Sequence, residues 1–413
     1  RITASAGEVN RQQDVTVTAL PLSGSLDYDF GDGGIAVVTV GTLSGAWAGA
    51  LQTDGKVLLA GTANNDFAIA RLDQNGVPDP FFGSAGATTA SFGPGVSTCR
   101  SVAVQSDGRI VIAGRFTPGP GDENVGVARY EPSGLLDSSF ASGGKLSFDF
   151  RPNGYSLAQK VEMTSDGKIQ VFGNLSIRDA GVAVARVLPN GVLDSSYGVG
   201  GASVVELPPP NPFVDDGVLQ SDGKSLLCGR AATGGGTAHF SIFRFNLNGG
   251  LDPSFGNAGR VTLVPVGATS SGCQSVALQN DGKIVAGGSY YPSSGNAVMF
   301  VARFYADGSV DRTLGGSGFV EIQPPAPDTH GFFGALVVLV DGRILAAATL
   351  MPSRRAMLTR LMTTGLVDLT FGTGGRSTAD VLADGNVTDL LIQADGRYIV
   401  MSSTGFRASR FWP

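Results

Sequence analysis

Residues 275–288 read SVALQNDGKIVAGG. Side chains of two characters alternate through SVALQ, as the two faces of a strand require. The chain then meets Asn280-Asp281-Gly282, where the glycine tolerates the positive φ of a tight turn, and KIVAGG returns. The stretch is a β-hairpin. Working outward, the variable segment SYYPSSGNA (289–297) leads to a third strand, VMFVARF (298–304), and after ADGSVDRTLGGSG comes a fourth, FVEIQ (319–323).

The tripeptide at the hairpin tip, Asp-Gly-Lys or Asp-Gly-Arg, occurs seven times, at Asp54, Asp107, Asp166, Asp222, Asp281, Asp341 and Asp395, at spacings of 53 to 60 residues. A period of this length, filled with short strands and turns, is one supersecondary unit stacked on copies of itself. Open β-solenoids use shorter coils and rarely antiparallel hairpins, whereas four antiparallel strands and a step to the next copy make the blade of a propeller. A closed ring also removes the exposed edges that a long sheet-rich chain would otherwise carry. The expected fold is therefore all-β: a seven-bladed β-propeller of four-stranded antiparallel blades over residues 26–413. An extension, 1–25, precedes it, with one possible extra strand at DVTVTAL (14–20). The last repeat stops after its third strand, FRASRF (406–411), while IAVVTV (35–40) is a fourth strand with no blade before it. Pairing these two closes the ring and brings Asp27 to Arg410.

LDPSFGNAG (251–259), ALQNDGKIVAGG (277–288) and ARFYADGSVD (302–311) resemble the delta-60 repeat of bacterial proteins, and the resemblance runs from Leu26 to the last residue. It implies a propeller, a bacterial and exported setting (periplasm, cell surface or medium), and no catalytic motif to carry over. Leu314 stands where other units place Phe or Tyr, Ala141 replaces a Gly, and Val340 replaces the polar residue before Asp341.

Composition narrows the partners. The net charge of −6 comes from 35 acidic and 29 basic residues, of which the seven repeats absorb 14 each, leaving 21 against 15. No basic stripe remains, so nucleic acid is not expected as a partner. No apolar run is long enough to span a bilayer as a helix. Of three cysteines, Cys99 and Cys273 occupy equivalent positions in units two and five, too far apart around a ring to pair, so buried free thiols are expected. Ala4-Ser5-Ala6 has the small-residue form of a signal-peptidase site, consistent with a cropped exported protein and equally with an ordinary tail.

Comparison of the seven copies separates scaffold from site. Arg71, Arg129, Arg186, Arg244, Arg303, Arg360 and Arg410 share one position of the third strand, and the first six precede an Asp (Asp79, Asp137, Asp194, Asp252, Asp311, Asp368) by eight residues. Arg offers carboxylates and turn carbonyls a rigid fork, and a junction repeated this often is a packing device rather than a site. Gln52, Gln105, Gln220, Gln279 and Gln393, two residues before the hairpin Asp, read as hairpin bracing.

Chemical motifs are sparse. Two histidines, His239 and His330, with no Cys-x-x-Cys give no zinc spacing, and there is no G-x-S-x-G elbow. Asp27, Asp29 and Asp32 form the one loop that could invite Ca²⁺, but it lacks a bidentate Glu, and Asp27 is the repeat Asp. No metal, cofactor or catalytic residue is assigned. In such a blade the hairpin turn and the third-to-fourth turn share one stereotyped face, while the remaining loops share a variable face, where binding residues usually sit. That face carries ELPPPNPFVDD (206–216), SYYPSSGNA, QPPAPDTHGFF (323–333) and TLMPSRR (349–355). It supplies the candidate ligand-binding residues Phe213, Asp215, Asp216, Tyr290, Tyr291, His330, Phe332, Arg354 and Arg355, aromatic and charged groups of the kind that anchor interfaces. Phe213 and Phe333 have a second reading, as caps on blade ends.

Three readings of function follow. The first is a noncatalytic binding or adhesion module offering the variable face to a protein or glycan. The second is an enzyme with a polar site at the mouth of the channel, built from Arg100, Lys160, Asp215, Asp216 and Asp389. The third is a spacer domain of a larger surface protein.

Overall fold

A computed structural model of the chain describes residues 21–119, 121–151, 155–175, 180–207, 212–232 and 236–413. Blade one is built from Ser44–Leu51, Val57–Ala63, Asp66–Leu72 and Ala87–Ala90, hydrogen-bonded in chain order. Five more blades repeat it, with inner strands Ser97–Val104, Ser156–Met163, Phe213–Leu219, Ala268–Leu278 and His330–Val338. The seventh takes Val387–Ile392, Tyr398–Ser402 and Phe406–Phe411 from the C-terminus and Ile35–Val38 from the N-terminal side. Ile35 pairs with Ser409 and Val38 with Phe406, and the inner strands of blades seven and one touch as all other neighbours do. The fold is a seven-bladed propeller of four-stranded antiparallel sheets, closed as the orphan fourth strand predicts.

The middle strands lose the alternation of the inner ones because both of their faces are covered by adjacent blades. IVIAGRF (110–116) is apolar or small almost throughout, and its apolar residues are buried. Val111 and Ala113 of blade two, Ile169 and Val171 of blade three and Phe150 of the link between them share one apolar seam.

The repeated charges lock these seams. Arg303 donates through Nε to Asp311 (2.7 Å), through Nη2 to Thr313 Oγ1 (2.8 Å) and through Nη1 to the Thr363 carbonyl of the next blade (2.7 Å). The hairpin base Lys283 reaches the same carboxylate at 3.4 Å. Arg410 makes the closing copy, with Asp27 at 2.6 Å and the Gln74 carbonyl of blade one at 2.5 Å. In blade one the guanidinium of Arg71 lies 4.5 Å over the Phe82 ring, a contact that Leu314 denies to blade five. Asp27 also faces Arg397 at 3.3 Å, so its carboxylate is engaged in the brace.

The cysteine expectation needs correcting. Cys228, on the second strand of blade four, is disulfide-bonded to Cys273 on the inner strand of blade five, with Cα atoms 5.5 Å apart. Comparing equivalent positions two and five blades round the ring overlooks pairing across a single seam, where the second strand of one blade packs on the first of the next. Cys99 remains a buried free thiol, and burial pushes it up to about 12. The DVTVTAL stretch lies outside the described residues.

Candidate functional site

Each inner strand carries an extra residue where its register shifts against the second strand, for instance between Ala46 and Ala48, Cys99 and Ser101, and Val214 and Asp216, and that of blade five has a second shift between Ala268 and Ser270. A β-bulge leaves that residue out of the ladder and re-aims its side chain. One bulged residue per blade recurs at an equivalent position, Trp47, Arg100, Gln159, Asp215, Gln274, Gly334 and Thr388, each seven positions before its hairpin Asp, so these seven stand at one level around the ring axis.

In four blades the residue after the bulge ties one blade to the next. Ser101 Oγ accepts from the Val161 amide (3.0 Å), Asp216 Oδ2 from the Val276 amide (3.0 Å), Ser275 Oγ from the Leu336 amide (3.2 Å) and Asp389 Oδ2 from the Gly49 amide (2.8 Å). In blade three this position is Lys160, whose Nζ sits 3.2 Å from Asp216. Asp216 holds the Lys160 ammonium well above its ordinary range, while burial raises Asp389. Three of the five residues proposed for a channel-mouth enzyme, Lys160, Asp216 and Asp389, are thus bound into seams.

The other two, Arg100 and Asp215, are bulged residues and behave differently. The Arg100 guanidinium lies 4.3 Å over the indole of Trp47. Among the described residues no carboxylate lies within ion-pair distance of Arg100, and none of its N–H groups has a protein acceptor. Asp215 likewise has no hydrogen-bond donor among them. Burial pushes its carboxyl up to about 7, against the pull of Arg230 and Arg100, with the charge of Asp216 adding to the rise. Arg230 pairs across the ladder with Phe213, its guanidinium 5.4 Å from that ring, and is exposed.

The variable-face candidates do not form one site. Tyr290 is buried and donates to Glu321 Oε1 at 2.6 Å. Arg354, at φ 54, donates to the Asp384 carbonyl (2.9 Å), and Arg355 to Thr378 Oγ1. Phe333 is core, as its capping reading required, and its ring occupies the space above Gly287 of blade five. What remains open on blades five and six is Tyr291, 48% exposed, and Phe332, 40% exposed, with the His330 ring edge-on to Phe332 at 6.0 Å. The Tyr291 carbonyl accepts from Thr269 Oγ1 at 2.9 Å, which pins the strand end. Part of the 206–216 loop, 208–211, lies outside the described residues.

On the opposite face a groove of about 760 Å³ lies between the hairpin turns of blades three and four, lined by Thr164, Asp166, Gln170, Arg186, Gln220 and Asp222. Smaller grooves lie at the seams of blades two and three and of blades five and six, so these are a property of blade stacking.

Motif search from sequence missed Trp47, Gln159 and Gln274. The signal was present: seven positions before the hairpin Asp the copies read Trp, Arg, Gln, Asp, Gln, Gly and Thr, a variable column inside an otherwise repetitive strand.

Four stretches, 52–82, 105–140, 220–255 and 279–314, match a family described as a domain of unknown function (DUF5122) β-propeller. Each runs from a hairpin turn to the turn after the third strand, and with the seven-bladed ring they fit a propeller repeat family. No curated protein matches the chain in sequence. Among solved structures, the chain is similar to the WD40 β-propeller domain of Doa1, at 13% identity and a TM-score of 0.52, covering 92% of this chain and 99% of that one. It is similar to Drosophila Semaphorin 2a at 10% identity and a TM-score of 0.54, covering 96% of this chain and 77% of that one. A Xanthomonas campestris gluconolactonase overlays at 12% identity and a TM-score of 0.41, covering 98% and 99%. At these identities the first two show a likeness of fold alone.

Proposed function

We propose that this protein is a noncatalytic binding scaffold of the delta-60 kind that presents its variable face to a protein partner through Tyr291, His330 and Phe332. The observation that carries this reading is the pair of exposed aromatic residues held on strand ends of blades five and six. Aromatic side chains fixed in place lose little entropy on docking and supply a disproportionate share of interface energy. Protein is favoured over glycan because the His330 and Phe332 rings stand at 86° to each other, a knob rather than a flat platform for a sugar ring. The setting proposed is outside the cytoplasm, in keeping with the Cys228–Cys273 disulfide, since disulfides persist in oxidising compartments.

The test places a photo-crosslinking residue at position 291, identifies captured extracellular partners, and measures the affinity of each purified partner for wild type and for the Tyr291→Ala, Phe332→Ala double variant. The variant should bind more weakly by about 2 kcal/mol or more at an unchanged melting temperature. Undiminished binding, or a loss produced instead by substitutions in the Asp-Gly turns, refutes the face. A glycan array whose signal depends on the same pair would transfer the site to sugars.

A further inference from the structure

A ring axis lined by bulged side chains contains groups that the seams do not use. Arg100 has its guanidinium plane laid on Trp47 at 4.3 Å, which fixes the fork while leaving its N–H edge without a protein acceptor among the described residues. Arg230, exposed beside Phe213 on the same side of the ring as the variable loops, has no carboxylate within ion-pair distance among them either. Arg230 stands opposite Phe213 in the ladder, next to the bulge that carries Asp215, and the charges of both guanidinium groups favour the ionised Asp215 carboxyl, which itself makes no protein hydrogen bond among the described residues.

The neighbouring polar groups are engaged. Lys160 is paired with Asp216 at 3.2 Å, Asp389 accepts two amides at 2.8 Å, and Arg115 meets Glu123 at 2.6 Å. Arg100 and Arg230 are thus left without an ion-pair partner among the described residues, beside an Asp215 carboxyl that accepts no hydrogen bond from them.

We propose that the channel mouth of blades one to four binds a small hydroxylated organic anion, its carboxylate taken by Arg100 and Arg230 and a hydroxyl donated to Asp215. A planar guanidinium fork matches a carboxylate in two parallel hydrogen bonds, and stacking on an aromatic face orders the fork before the ligand arrives. Asp215 supplies an acceptor, which selects ligands carrying a hydroxyl over simple anions. Gln159, bulged between Arg100 and Asp215 in ring order, adds a neutral donor and acceptor at the same level. This site is separate from the Tyr291 and Phe332 surface and does not depend on it.

The experiment is titration calorimetry of the full chain with glucuronate, galacturonate and tartrate as probes, and with glucose, acetate and inorganic phosphate as comparisons. At least one hydroxylated carboxylate should bind, more tightly than acetate, with glucose silent. Arg230→Ala, which removes an exposed side chain, should weaken that binding tenfold or more, and so should Arg100→Ala if it folds. Asp215→Asn should narrow the gap between the hydroxylated anion and acetate. The Tyr291→Ala, Phe332→Ala variant should bind the anion as wild type does. Absence of binding by every hydroxylated carboxylate at millimolar concentration overturns the proposal, as does unchanged affinity in Arg230→Ala. Phosphate binding as tight as the carboxylates would overturn the ligand class.

Discussion

At the scale of single residues, the buried Arg–Asp pairs behave as a structural device whose charge must remain paired. Asp311 is fully buried and holds Arg303, Lys283 and its own turn together. Burial opposes its ionisation, but the Thr313 hydroxyl and amide and the Arg303 charge outweigh burial and hold the carboxyl well below the usual range. Removing one partner of such a pair leaves an uncompensated buried charge. Asp311→Ala should therefore cost about 3–5 kcal/mol in urea unfolding at pH 7. Since the folded carboxyl is more acidic than the unfolded one, its contribution is complete above the unfolded value near pH 4 and declines as pH falls towards the folded value. The gap between variant and wild type should narrow accordingly below about pH 4. A gap independent of pH would mean that the charge is not what stabilises the junction.

At the scale of the blade, two classes of glycine do different work. Gly282, at the hairpin tip, has φ +83 and open space where a Cβ would stand. Gly282→Val thus meets backbone strain alone and should cost about 1–3 kcal/mol. Gly114, on the second strand opposite the bulge of blade two, has no such φ, but a Cβ there would overlap the Thr98 carbonyl and the Cys99 backbone. Gly114→Val should prevent folding to a soluble protein, while Gly282→Val melts cooperatively at a lower temperature. Equal midpoints for the two would show that the bulge does not need the close approach. The bulge matters because it sets Arg100 and Asp215 free of the ladder while the residue after it fastens the seam.

For the whole molecule, stability depends on closure. The outer strand Ile35–Val38, whose Val38 pairs with Phe406, and the brace from Arg410 to Asp27 join the two ends of the ring, with Asp27 and Arg410 separated by 383 residues in sequence. Deleting residues 406–413 strips blade seven of its third strand and leaves Tyr398–Ser402 as an unpaired edge. An exposed edge is a template for pairing with another chain. The truncated protein should aggregate, as followed by light scattering during refolding. A monomer that melts at the wild-type temperature would mean that the ring does not need its latch.

The repeat made the fold legible in the sequence, because every blade must solve the same packing problem and its hairpin glycine, brace arginine and turn aspartate return in register. Blade number, strand order and the closing pair all follow from that periodicity. Where the copies differ, the sequence carried no geometry. Equivalent positions suggested unpaired cysteines, yet Cys228 and Cys273 belong to different strands that only the seam brings together. Asp215 and Asp216 are adjacent letters with equal chemistry, and the bulge alone sends one into a seam hydrogen bond and leaves the other without a donor among the described residues. Tyr290 and Tyr291 divide in the same way, because a strand turns successive side chains to opposite faces: one is buried on Glu321 and the other is exposed. Periodicity is a property of the chain, but which face a side chain takes and what it meets there are properties of the packed ring.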